Sequence, residues 1–193
     1  MKKTVCLFLI MLVLPYLGCF AQAESSTPQM GSQKDQNQHK TVQVLGDKAT
    51  INIPSSFEKM TEQQIATKYV KADPRPKEIW YFDTGESVIT LSFTMPYPDK
   101  ELIDEHVPML AEIMKNQMAD LKPILTTKKV NGHTVSRLET VAKDISGDGT
   151  TVHSILQLSS LDERLLMTTF NVSAQLKDNY YIVGEAALDS LTY

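Results

Sequence analysis

From Thr41 onward the chain switches between two spacings of apolar residues, and each spacing implies an element. Val42 and Val44, then Ala49, Ile51 and Ile53, alternate with polar positions around Gly46-Asp47. That pattern predicts a hairpin of two short strands, the second ended by Pro54. Thr61 followed by Gln64 is an N-cap with a capping-box partner. A short helix should therefore run to about Tyr69, with Ile65 and Tyr69 facing inward and Ala66 beside them. Asp73-Pro74-Arg75-Pro76 breaks any helix, because each proline disfavours the α region in the residue before it. Glu78–Asp83 and Glu86–Thr94 follow as strands across Thr84-Gly85. In the second of these, Ile89, Leu91 and Phe93 should face the core, with Val88, Thr90, Ser92 and Thr94 on the other side.

Asp99–Leu121 has the three-and-four spacing of a long helix, with Ile103, His106, Val107, Leu110, Ile113, Met114, Gln117 and Leu121 forming its inner stripe. Pro108 lies within it, so the helix either kinks or truly starts at Val107 with the proline in its first turn. Leu125–Asn131 and His133–Lys143 read as strands across Asn131-Gly132, a type I′ sequence. Thr151–Leu158 and Arg164–Ser173 read as another pair, and a closing helix over about Ala174–Leu191 carries Leu176, Tyr180, Val183, Ala187 and Leu191 on one side. Such an order suits an α+β fold, residues 41–193, in which an antiparallel sheet has helices packed on its faces.

The residues before this domain follow a different logic. Lys2 and Lys3 precede the unbroken apolar run Val5–Val13, which is too short to span a bilayer and reads as a secretory signal covering residues 1–23. Ala21 and Ala23 supply the small side chains that signal peptidase accepts, so cleavage would leave Glu24 first. The alternative ending is lipidation at Cys19, which Gly18 suits and Tyr16 does not. Residues 24–40 are rich in Ser, Gln and charge and should form a flexible linker. Both cysteines, Cys6 and Cys19, lie in the leader, so a chain cut after Ala23 has no thiol for a disulfide, a nucleophile or a zinc site. The formal charge of −4 becomes two units more acidic once Lys2 and Lys3 are gone. Without a basic run, nucleic acid is not an expected partner, and the mature chain holds no transmembrane segment.

Ile51-Asn52-Ile53-Pro54 leading to Phe57, Met60-Thr61, Lys68-Tyr69 ahead of Arg75-Pro76, the Val130-Asn131-Gly132-His133 hairpin and the final Leu188-Asp189-Ser190-Leu191 together resemble the PsbP-like α/β/α sandwich. Within it, the likeness is to bacterial envelope proteins of the DcrB kind and related domains of unknown function. The resemblance implies a non-enzymatic accessory or binding role in the cell envelope. DcrB-like members are lipoproteins with a clear lipobox, from which this sequence departs at Tyr16.

Candidate chemistry adds little to that picture. Asp144-Ile145-Ser146-Gly147-Asp148-Gly149 imitates the start of an EF-hand loop, but Ile155 stands where the bidentate glutamate belongs, so a plain turn is expected. His106, His133 and His153 have no His or Cys partner at ligand spacing and read as structural or surface residues, leaving no metal or cofactor site expected. No nucleophile elbow or phosphate-binding glycine motif occurs, so no enzyme activity is expected. A pocket gathering His106 or His153 with two carboxylates would reverse that. Asn171-Val172-Ser173 matches a glycosylation sequon, expected to be unused.

Cations and aromatics cluster once, in Lys68, Tyr69, Arg75, Pro76 and Trp80, the candidate surface for a protein partner. The bland reading puts Trp80 and Phe82 in the core. The expected function is that of a periplasmic or secreted binding protein. An immunity or inhibitor protein that meets a basic enzyme cleft is the alternative. Intact mass of the protein recovered from cells should correspond to a chain beginning at Glu24; a mass fitting a diacylated Cys19 terminus would establish the lipoprotein ending instead.

Overall fold

The structure is a computed structural model and describes residues 38–97, 101–143 and 149–193. The leader with Cys19, Ala21 and Ala23, almost all of the linker, the expected helix start at Asp99 and the EF-hand-like residues Asp144–Asp148 lie outside the described residues. The elements in chain order are β1 (His39–Val44), β2 (Ala49–Pro54), β3 (Glu58–Lys59), α1 (Glu62–Lys68), β4 (Glu78–Asp83) and β5 (Val88–Thr94). Then come α2 (Val107–Gln117), β6 (Ile124–Val130), β7 (His133–Lys143), β8 (Thr151–Leu161), β9 (Arg164–Ser173) and α3 (Lys177–Asp189). β1 starts within the segment read as linker. The short strand β3 had no periodic signal, having only two residues.

Seven strands form one antiparallel sheet in the order β3-β4-β5-β9-β8-β7-β6, and β1-β2 is a separate two-stranded hairpin. The crossover from β5 to β6 carries α2, so the last strand in sequence, β9, ends up beside β5 in the middle. Register divides the sheet into two faces. Trp80, Leu91, Phe170 and Ile155 are successive cross-strand partners on one face. They join a core cluster with Ile51 and Ile53 of the hairpin and Tyr180, Ala187 and Leu188 of α3. On the opposite face α2 covers Leu138, Leu156, Leu158 and Leu165, and α1 covers Ile79. The α+β architecture expected from the sequence, with helices on both faces of an antiparallel sheet, is what forms.

Several expectations are corrected in detail. The long helix is shorter: Asp104–His106 is a 3₁₀ turn, the α-helix begins at Val107, and Pro108 sits in its first turn, where its missing N–H costs nothing. Its buried stripe is Val107, Ala111, Met114 and Met118, while Ile103, His106 and Ile113 are exposed. Ile103 and His106 precede the helix and do not share its phase, while Ile113 lies beside the 107-111-114-118 stripe instead of on it. Thr90, Ser92 and Thr94, expected on the face away from the core, are buried as well. A central strand covered on both sides has no solvent face. There the Asn171 amide donates to Thr90 Oγ1 (3.2 Å), and Ser154 Oγ donates to Asn171 Oδ1 (2.6 Å), so the sequon asparagine is sequestered in the sheet. β8 runs to Leu161, and the β8–β9 connection is the two-residue turn Asp162-Glu163, both at positive φ. Asp162 suits that conformation, but Glu163 stands where glycine usually completes a type I′ turn.

Gly184 explains how α3 approaches so closely. A Cβ at this position would run into the Phe170 ring of β9. Gly184→Ala should destabilise the fold by about 2 kcal/mol, because overpacking outweighs the ~1 kcal/mol gained in helix propensity. Thermal denaturation should show a fall in Tm of roughly 5 °C; an unchanged or higher Tm would mean that α3 can shift without loss.

Candidate functional site

The segment from Lys68 to Trp80 is built on buried anchors. Thr61 caps α1 reciprocally with Gln64, and Tyr69, at the C-cap, packs with Met60, Ile65 and Ile79. Tyr69 is only 4% exposed, and burial pushes its hydroxyl pKa up to about 12. Pro76 is buried, and Trp80 faces the hairpin in the main core, as the bland reading had it. Lys68 is half-buried. What remains outward is Val70, 65% exposed, together with Lys71, Asp73, Arg75 and Lys77. Of the five candidate residues, Arg75 is thus the exposed one, and Tyr69, Pro76 and Trp80 hold the backbone beneath it.

Trp80 also belongs to an ionic cluster that residue spacing did not announce. Its Nε1–H donates to Glu78 Oε1 at 2.8 Å, and the Leu45 N–H donates to Glu78 Oε2 at 2.9 Å. Lys59 Nζ lies 3.0 Å from Glu78 Oε1. Lys40 and Lys59 each place an ammonium near the Trp80 ring, 5.4 and 5.9 Å from its centroid. A carboxylate this buried is tolerable only when neutralised and hydrogen-bonded. Here both oxygens have partners, and the arrangement docks the β1-β2 hairpin onto β4.

A second ionic group lies below α3. Arg137, 3% exposed, donates from Nε and Nη2 to Gln157 Oε1 at 2.8 and 2.7 Å and from Nη2 to Asp189 Oδ1 at 2.8 Å. Lys128 binds the same Asp189 oxygen at 2.6 Å. Burial pulls the Asp189 pKa upward, but Lys128 and Arg137 outweigh it and hold the carboxyl below its ordinary range. The neighbouring Tyr181 hydroxyl is pushed up, by burial first and then by its hydrogen bond to Glu139.

A cleft of about 330 Å³ opens at the end of the sheet near the β8–β9 turn, and it includes Asp104, His133, Ser160, Asp162, Glu163 and Tyr193. The His133 and Tyr193 rings meet at a tilt of 44° with centroids 4.4 Å apart, and His133 Nδ1 is 3.3 Å from Asp104 Oδ2, which also accepts the Thr134 N–H at 3.0 Å. Burial raises the Tyr193 hydroxyl pKa to about 12, opposed by Ser159 and reinforced by Asp104. Ser160 Oγ is committed to the Leu102 carbonyl at 2.5 Å, and Asp162 pairs with Lys48. His106 and His153 do not enter this cleft: His106 is exposed, and His153 lies edge-on to Tyr181. Among the described residues no group of three or more His, Cys, Asp or Glu is placed to hold a metal ion. Among them too, no helix is long and apolar enough to cross a membrane.

No protein-family model matches the chain, and no curated protein does. Solved structures do match. One is a protein from Bacteroides thetaiotaomicron VPI-5482, 13% identical, with a TM-score of 0.50 over 80% of this chain; the chain spans about half of that protein, 48%. Another is cyanobacterial PsbP (CyanoP) from Synechocystis sp. PCC 6803, 11% identical, with a TM-score of 0.51 over 80% of this chain and 91% of that one. The chain therefore has a PsbP-like fold. At these identities the likeness concerns architecture alone.

Glu78 offers the clearest mutational reading of the ionic clusters. Glu78→Ala leaves the Trp80 and Leu45 donors buried without an acceptor and should cost about 3 kcal/mol. Trp80 is the sole tryptophan, so its emission reports the change directly. Glu78→Gln keeps one carbonyl acceptor and should recover part of the loss in chemical denaturation. Equal stability of the alanine variant and the parent would show that the hairpin docks without this carboxylate.

Proposed function

We propose that the protein is an exported, non-catalytic binding protein that engages an acidic protein partner through the surface around Arg75. One observation carries this reading: Lys71, Arg75 and Lys77 project from a segment whose backbone is fixed by buried Tyr69, Pro76 and Trp80. A loop held in place before binding loses little entropy when it binds, and arginine is enriched among residues that anchor interfaces. The segment is locally cationic on a chain of formal charge −4, so attraction to an acidic partner concentrates there. Exposed Val70 adds an apolar contact at its edge. Export rests on the leader with Ala21 and Ala23, and the PsbP-like fold is compatible with an accessory role.

In this reading the cleft beside His133 is a structural junction. Its serine hydroxyl is bound to a backbone carbonyl, and the Asp104 carboxylate is shared between His133 and a backbone amide. These are bonds that hold three chain segments together.

A photocrosslinking residue introduced at Lys77 or Val70 in the native host should give a discrete protein adduct. Arg75→Glu should lower the adduct yield at least about fivefold, the effect of losing ~1 kcal/mol or more at an interface arginine, with no change in Tm. Absence of an adduct from both positions, or a yield indifferent to the charge at residue 75, would remove this surface from the function.

A further inference from the structure

β6 is an outermost strand of the main sheet, and among the described residues it pairs with β7 alone. It is seven residues long, and Ile124, Thr126, Thr127, Lys128 and Lys129 are exposed. Long exposed edges invite pairing with another chain, and proteins commonly guard them with lysines. β6 has two, but both are turned inward over their own subunit. Lys128 Nζ binds Asp189 at 2.6 Å, and Lys129 Nζ donates to Thr134 Oγ1 at 2.7 Å. The guard positions are filled and the guard is withdrawn.

The turn fixes which backbone groups are available. Asn131-Gly132 is a two-residue turn with both φ positive, so the closing pair Val130↔His133 is hydrogen-bonded, and bonded and non-bonded pairs alternate from there. Ile124, Thr126, Lys128 and Val130 direct their N–H and C=O groups toward β7. Leu125, Thr127 and Lys129 direct theirs outward. These three residues are evenly placed about Thr127, so a two-fold axis through Thr127 brings each outward donor opposite an acceptor. About six hydrogen bonds can form.

We propose that this edge pairs with a second copy of itself, antiparallel about Thr127, joining two sheets into one. The side chains are self-complementary in that register. Thr127 faces the partner's Thr127, Leu125 faces the partner's Lys129, Thr126 faces the partner's Lys128, and Ile124 faces the partner's Val130. No lysine opposes a lysine, and threonine pairs across strands are favourable. Ile124, 63% exposed in the single chain, gains cover. The contact is isologous and closed, so it stops at two copies. It lies at the end of the sheet opposite β3 and β4 and leaves the Arg75 surface free in both copies. It therefore stands or falls independently of the proposed partner.

Sedimentation velocity on the exported protein, from micromolar to millimolar concentration, should show a concentration-dependent dimer. Amide hydrogen exchange at Leu125, Thr127 and Lys129 should slow as the dimer forms. Thr127→Pro removes one outward donor at an edge position that tolerates proline and should leave a monomer of unchanged secondary structure. Thr126 is exposed, so charges there test the register without touching the core. Thr126→Lys opposes the partner's Lys128 twice per dimer and should weaken association about fivefold, whereas Thr126→Glu should strengthen it by a similar factor. A monomer at every concentration overturns the proposal. So does a dimer unmoved by all three substitutions, and so does concentration-independent protection of the three amides, which would assign the edge to a segment of the same chain or to a different partner.

Discussion

How closely α3 can approach β9 governs the covered side of the sheet. β9 lies between β5 and β8, and its Phe170 ring fills the space where a side chain at residue 184 would stand. The missing Cβ lets the helix descend, and that descent brings Tyr180, Ala187 and Leu188 into the same cluster as the hairpin residues Ile51 and Ile53. Among the described residues the hairpin has no strand pairing with the main sheet, so its attachment depends on this shared cluster and on the charges around Glu78. Packing density across one helix–strand contact thus decides whether three pieces of the chain form one core.

Polar groups make that core more specific and more expensive. Arg137 lies almost wholly inside, held by Gln157 and Asp189, while Gln157 Nε2 and Thr168 Oγ1 have no protein partner among the described residues. Arg137, Gln157 and Thr168 stand on the face of the sheet under α3. Buried polar atoms of this kind are ordinarily met by ordered water, and replacing them with aliphatic side chains of similar shape often strengthens a fold. Their presence narrows the ways in which the sheet can register against the helix.

The architecture was legible in the sequence where one periodicity ran uninterrupted. The β1-β2 hairpin, the capping box at Thr61, the Asn131-Gly132 turn and the alternation in β5 each occupy a window long enough to carry a period of two or a cap motif. The helix stripe was misplaced because Ile103 and His106 precede the true start of α2, and the spacing alone cannot mark where helical phase begins. β3 is too short to show a period, and Asp162-Glu163 lacks the glycine that marks a type I′ turn, Glu163 adopting positive φ because the flanking strands demand a two-residue connection. For the candidate surface, residue type identified the cluster but not its inside and outside: Tyr69 and Trp80 are anchors, and Arg75 is displayed. Glu78 was invisible, since a carboxylate beside a tryptophan says nothing about a lysine and a backbone amide arriving from distant segments.

Asn131 donates its amide to the carbonyls of Asp189 and Leu191, at 3.3 and 2.7 Å. Thr192 exchanges backbone hydrogen bonds with Thr50, at 2.8 and 2.9 Å. The stretch from Asp189 to Thr192 thereby clasps the β6–β7 turn and, across some 140 residues of sequence, the first hairpin. A chain made from its N-terminus cannot close this clasp until Thr192 has followed Thr50 by some 140 residues. The first hairpin therefore stays without its late fastener while the segments between them are still being made.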